Sequence, residues 1–171
     1  PLPEVPMTYE EPWMAPRSLH SDRIKIDGDK IEITGDGKDL CEKDCRSLVV
    51  KRQPDFQFTA EFAMKLSKEY VNFDAGMVLY YDENSYIKFG ISYGEVFVSE
   101  YIDDKYVRTV SKIAAQKTEY HFKIETDKLR RTFILNGKVV AEFDDVTSIC
   151  SEGLRKGKRF TSAMYGVYVN G

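Results

Sequence analysis

The chain has 171 residues, a net charge of −3, 42% hydrophobic and 31% charged residues. That length supports one domain with a real core and not two, and the composition excludes a disordered chain. With no basic excess and no apolar run near the roughly 20 residues of a membrane helix, neither nucleic acid nor a bilayer is an expected partner.

Residues 1–22 hold Pro1, Pro3, Pro6, Pro12 and Pro16. Proline at that density disfavours both a helix and a central strand. The stretch reads as an extended arm or linker ahead of a domain at 23–171. Trp13, the single tryptophan, either pins this arm to the domain or offers a rim platform on which a sugar stacks. The first residue is Pro and no signal peptide is visible, so the chain reads as a module of a longer protein. A soluble protein is expected, cytoplasmic or secreted.

From Arg23 the apolar residues recur with period two. Ile24 and Ile26, then Ile31 and Ile33, frame the turn Asp27-Gly28-Asp29 and predict a hairpin with one apolar face. Ser47 to Arg52 is the next strand. Phe56 to Leu66 follows, with Phe56, Phe58, Ala60, Phe62, Met64 and Leu66 on one face and mostly polar residues on the other. In Asp74 to Ile91, two aromatic-rich runs flank Asp82-Glu83-Asn84 and predict a hairpin. Glu95 to Tyr101 and Lys105 to Val110 pair about a turn at Asp103-Asp104, and Lys112 to Lys117 reads as a polar link or one helical turn. Glu119 to Glu125 places Tyr120, Phe122 and Ile124 on a core face, with His121 turned to solvent. Leu129 to Leu135 and Lys138 to Phe143 flank Asn136-Gly137, the strongest short hairpin signal because both positions must accept φ > 0. The segment 144–157 is irregular, with a helical turn conceivable at Val146 to Cys150. Ala163 to Val169 is apolar on both faces and therefore central. The whole pattern predicts an all-β, two-sheet antiparallel jelly-roll sandwich.

No catalytic constellation stands out. A retaining glycosidase needs two carboxyl groups about 5 Å apart, yet Glu100 and Asp103 are not alternate residues and Asp144-Asp145 are adjacent. Cys45 and His20 are not linked by any spacing that signals a nucleophile and its base. The three cysteines, Cys41, Cys45 and Cys150, are read as free thiols, a Cys41–Cys45 bridge being the alternative. No cofactor motif is present. Loop oxygens of Asp27, Asp29, Asp36, Asp39, Asp144 and Asp145 could hold a structural Ca²⁺.

Three stretches carry a resemblance: SLVVKRQPDFQFTAEFAM at Ser47–Met64, AGMVLYYDENSYIKFGI at Ala75–Ile91, and RFTSAMYGVYVNG at Arg159–Gly171. They are similar, in order, to the "SLLxRRQ…FxAxT" strand pair, the "AGLxxYY…xYxxxxI" hairpin and the closing "FTGAFVG" strand of the C-terminal module of family 43 glycoside hydrolases, β-xylosidase branch. Ser162 stands where that family has Gly, and Tyr165 where it has Val. The hairpin also resembles bacterial concanavalin A-like domains of unknown activity. The resemblance implies a concanavalin A-like sandwich that packs on a separate catalytic β-propeller, helps close its substrate pocket and joins subunits into a homo-oligomer. It also implies that Phe160, beside the "FTG" motif, reaches the active-site mouth, the alternative being a core residue at a strand start.

Strand alternation supplies one more candidate. If Met77, Leu79, Tyr81, Ile87, Phe89 and Ile91 face the core, then Tyr80, Tyr86 and Lys88 share the opposite face. Rings beside a polar donor suit an oligosaccharide; cross-strand packing of the two tyrosines is the alternative. The expected function is therefore a non-catalytic module that shapes a xylosidase pocket or binds xylan-type oligosaccharides, or else an independent lectin-like domain.

Overall fold

The computed structural model describes residues 13, 24–27, 30–34, 48–52, 57–65, 74–82, 84–92, 94–102, 105–114, 117–144 and 164–170. Among them are twelve strands and no helix. β1 (Ile24–Asp27) and β2 (Lys30–Ile33) form a separate hairpin in which Ile24 pairs with Ile33 and Ile26 with Ile31. The remaining strands build two antiparallel sheets.

The larger sheet has six strands. It runs β3 (Leu48–Arg52), β12 (Met164–Asn170), β5 (Asp74–Asp82), β6 (Ser85–Ser92), β7 (Glu95–Ile102) and β8 (Lys105–Ile113). The closing strand β12 lies between β3 and β5, the central place that its two apolar faces require. The smaller sheet has four strands in the order β11 (Lys138–Phe143), β10 (Arg130–Leu135), β9 (Glu119–Asp127) and β4 (Gln57–Lys65). This is the expected two-sheet sandwich. One expectation fails: residues 112 and 113 are not in a helical turn, because β8 stays paired with β7 up to Ile113 opposite Glu95. The segment at Val146 to Cys150 lies outside the described residues.

The two sheets close on one core. Met77, Leu79, Ile87, Phe89, Ile91, Val96 and Val98 come from the larger sheet, and Tyr120, Phe122, Ile124, Phe133, Leu135 and Phe143 from the smaller. Phe89 meets Phe122 and Phe133 edge-on, with ring centroids 5.0 and 5.4 Å apart, the tilted geometry that aromatic quadrupoles favour. β4 alternates as its sequence dictates: Gln57, Thr59, Glu61, Ala63 and Lys65 are exposed, while Phe58, Phe62 and Met64 pack on the core. His121 points to solvent on the same outer face of the smaller sheet.

The outer face of the larger sheet is not a plain solvent face. Leu48, Val50, Val78, Tyr80, Tyr86 and Tyr168 are buried there as a second apolar cluster, with Tyr101 and Met164 at its margin. The sheet is thus apolar on both sides over β3, β12, β5 and β6. That explains the near-continuous apolar runs of these strands, where a half-exposed sheet would show alternation.

Candidate functional site: the outer face of the larger sheet

Register places the predicted site residues together. Tyr80 lies directly opposite Tyr86, and Val78 opposite Lys88. Just past that pair the ladder slips by one residue, and Tyr81 is the extra one before Asp82 meets Ser85. All three candidate side chains are buried: Tyr80 is 5% exposed, Tyr86 2% and Lys88 4%. Neither ring offers solvent a face on which a sugar could stack.

The Lys88 ammonium is held in place by a carboxylate and a ring. Its Nζ is 3.3 Å from Asp74 Oδ2 and 5.3 Å from the centre of the Tyr168 ring. A buried cation needs such partners, because leaving it without them would cost several kcal/mol of hydration, on the order of magnitude general for ions in proteins. Asn170 Nδ2 donates to the same carboxylate oxygen over 3.5 Å. Tyr168 itself reaches across the sheet, since a Cβ built on Gly90 would overlap its hydroxyl. Glycine at position 90 therefore leaves the room into which Tyr168 lies down.

The tyrosine row extends further than the hairpin. Tyr86 pairs with Tyr101 on β7, and Tyr101 with Tyr106 on β8, so Tyr80, Tyr86, Tyr101 and Tyr106 form one rung across four strands. Tyr86 and Tyr101 stack with centroids 4.9 Å apart at 27°, and Tyr101 meets Tyr106 edge-on at 5.8 Å and 76°. Burial falls off along the rung: Tyr101 is half-buried and Tyr106 is 60% exposed. Tyr101 and Tyr106 were not among the residues expected from the sequence. For Tyr106 a bulge hides the placement. Glu100 pairs with Arg108 but Tyr101 with Tyr106, leaving Val107 as the extra residue. Strict alternation from Arg108 would turn Tyr106 toward the core; the bulge brings it to the outer face instead.

Trp13 sits elsewhere, at the opposite rim. Its ring is 5.4 Å from Phe62 and 5.7 Å from Tyr165, and the Lys51 ammonium lies 5.3 Å from its centre. Trp13 is half-buried in these contacts. Phe160 lies outside the described residues, as do Cys41, Cys45, Cys150, Asp29, Asp36, Asp39 and Asp145. Asp27 and Asp144 are exposed, and Asp144 Oδ1 is 3.4 Å from Arg130 Nε. Among the described residues no three His, Cys, Asp or Glu side chains gather as a metal would require. Glu100 turns to the interior of the sandwich, where Arg108 Nε reaches its Oε1 at 2.9 Å.

Two antiparallel sheets closing on one core, the larger apolar on both sides, define a concanavalin A-like β-sandwich. The chain belongs to the family of β-xylosidase C-terminal concanavalin A-like domains, whose model it matches over residues 9–171. Among solved structures it resembles the GH43 BlXynB protein from Bacillus licheniformis, with 27% identity and a TM-score of 0.69 over 80% of this chain and 28% of that one. It also resembles the xylan beta-1,4-xylosidase from Bacillus halodurans C-125, with 19% identity and a TM-score of 0.66, covering 79% of this chain and 28% of that one. A third likeness, to sheep galectin-11, has 9% identity and a TM-score of 0.51 over 71% of this chain and 88% of that one, and is one of fold alone. The chain thus spans between a quarter and a third of the length of the family 43 proteins it resembles. No curated protein sequence matches it. No helix among the described residues is long and apolar enough to cross a membrane.

Proposed function

We propose that this chain is the non-catalytic sandwich of a family 43 glycoside hydrolase, acting beside a catalytic β-propeller to shape the pocket that receives xylan-type oligosaccharides. The observation that carries this reading is the match of residues 9–171 to the β-xylosidase C-terminal domain, joined to the small share of each related enzyme that the chain spans. The chemistry of the described residues agrees with it. Among the described residues the two most enclosed carboxylates, Glu100 and Asp74, are each engaged by a cation, Arg108 and Lys88. Carboxylates held singly in this way do not form the acid and nucleophile pair that glycoside hydrolysis uses.

The test is a domain exchange. The sandwich of the Bacillus licheniformis protein is replaced by this chain, and hydrolysis of an aryl xyloside and of xylobiose is measured for the chimera, for the truncated propeller and for the 171-residue chain alone. The reading expects activity from the chimera above that of the truncated propeller and none from the isolated chain. Hydrolysis by the isolated chain, or a chimera no better than the bare propeller, overturns it.

A further inference from the structure

The outer face changes character between β6 and β8. Over β5 and β6 it is buried, but over β7 and β8 it opens. Tyr106 is 60% exposed, Thr109 and Ser111 are exposed, and Tyr101 and Phe97 are half-buried. Register sets these residues in three successive rungs: Tyr101 with Tyr106, Ser99 with Thr109, Phe97 with Ser111. The rungs span about 14 Å along the strands, at about 3.4 Å rise per residue.

Three properties mark this strip as a built surface. The Tyr106 ring is braced edge-on by Tyr101, which is itself stacked on buried Tyr86, so the exposed ring is held in place before anything binds. The middle rung is a pair of hydroxyls, Ser99 Oγ and Thr109 Oγ1 at 2.7 Å, able to exchange donor and acceptor roles with an incoming hydroxyl. None of the six residues carries a charge, but Ser111 Oγ donates to the Glu95 carboxylate at one end of the strip. The cations of β8 lie off the strip, Arg108 turning inward to Glu100 and Lys105 and Lys112 sharing its side of the sheet. A ring platform beside a hydroxyl pair, with a carboxylate at one end, selects a ligand with apolar CH faces and many hydroxyls, and repels an anion.

We propose that the outer face of β7 and β8 is a binding strip for a neutral oligosaccharide, with Tyr106 as the stacking platform and Thr109 as the central hydroxyl contact. The inference rests on xylan-type oligosaccharides as the ligand class named above, and it moves the contact from the buried pair Tyr80 and Tyr86 to the exposed end of the same rung.

The isolated 171-residue chain is titrated with xylotetraose by calorimetry, and amide shifts are followed by NMR. The strip predicts a dissociation constant on the order of 1 mM, with shifts centred on Tyr101, Tyr106 and Thr109. Tyr106→Ala weakens binding about tenfold, as the loss of one stacking partner, and Thr109→Val weakens it less. Tyr106→Ala keeps the wild-type thermal midpoint because its ring is exposed, whereas Thr109→Val lowers the midpoint because the buried Ser99 hydroxyl loses its partner. Absence of binding up to about ten times that concentration overturns the strip, as does binding that Tyr106→Ala leaves unchanged or that maps to Trp13. Because these titrations contain no propeller, they can fail while the domain exchange succeeds.

Discussion

Glu100 and Arg108 face each other across β7 and β8 inside the sandwich, Arg108 Nε lying 2.9 Å from Glu100 Oε1. The Glu100 side chain is 3% exposed and that of Arg108 31%. The Arg108 guanidinium also covers the ring of Phe143 on β11 at 3.9 Å from its centre. One side chain therefore bonds within the larger sheet and packs on the smaller.

Removing Arg108 takes away the guanidinium that faces a buried carboxylate. Arg108→Ala should lower stability by about 3 kcal/mol, the lower end of the range for breaking a buried pair, since Arg108 is partly solvated. Urea unfolding monitored by circular dichroism measures this. Replacing both partners by apolar residues, Glu100→Leu with Arg108→Met, should cost less than Arg108→Ala alone. A loss below about 0.5 kcal/mol for Arg108→Ala would mean that the pair behaves as an exposed one.

The contact between Gly90 and Tyr168 supports a second test. A methyl group at position 90 would overlap the Tyr168 hydroxyl, so Gly90→Ala should destabilise by about 1–3 kcal/mol, as overpacking does. Because the obstructing atom is the hydroxyl oxygen, Tyr168→Phe should recover part of that loss. If the double variant is no more stable than Gly90→Ala, the obstruction lies elsewhere.

The β10–β11 turn offers a third. Asn136 has φ of 49° and Gly137 of 80°, the pair of positive values that a two-residue hairpin loop of this kind requires. Asn136 also ties the turn to β9: its backbone N–H donates to His121 O, and His121 N–H donates to Asn136 Oδ1, each over 2.8 Å. Gly137→Ala should cost about 1–2 kcal/mol from left-handed strain alone. Asn136→Ala should cost a similar amount, because it also loses the bond to His121. Thermal unfolding compares them; a neutral Gly137→Ala would rule out the turn.

Trp13 is its own probe, being the only tryptophan in the chain. Packed on Phe62 and Tyr165, it should emit at shorter wavelength than a solvated indole. Phe62→Ala should shift that emission to the red at protein concentrations and temperatures where the far-ultraviolet spectrum is unchanged. Emission of a fully solvated tryptophan in the unmodified chain would show that the contact does not form.

The strands were legible because their information is local. Alternation in β4 and β9, and Asn136-Gly137 between β10 and β11, define those elements without knowledge of the partner sheet. Register was legible for Tyr80, Tyr86 and Lys88, because one hairpin turn sets it. Their burial was not, because alternation says which residues share a face and nothing about what lies over that face. Tyr106 was hidden for another reason. A bulge has no sequence signature in Lys105-Tyr106-Val107-Arg108, and strict alternation from Arg108 places Tyr106 on the wrong side. The polar link expected at Lys112 and Ile113 is strand because its backbone pairs with Val96 and Glu95, a contact that local polarity does not report.

The extra residue at Val107 makes the pairing of β8, and not only its alternation, a determinant of what that edge displays. Upstream of it the strand is one step out of phase with the part that anchors Arg108. Deleting Val107 would restore regular alternation and leave Tyr106 outward opposite Tyr101, whereas straightening the bulge at full length would turn Tyr106 inward. A relative without the extra residue would thus present the same edge on the same sandwich, although its period-two pattern would read differently from this one.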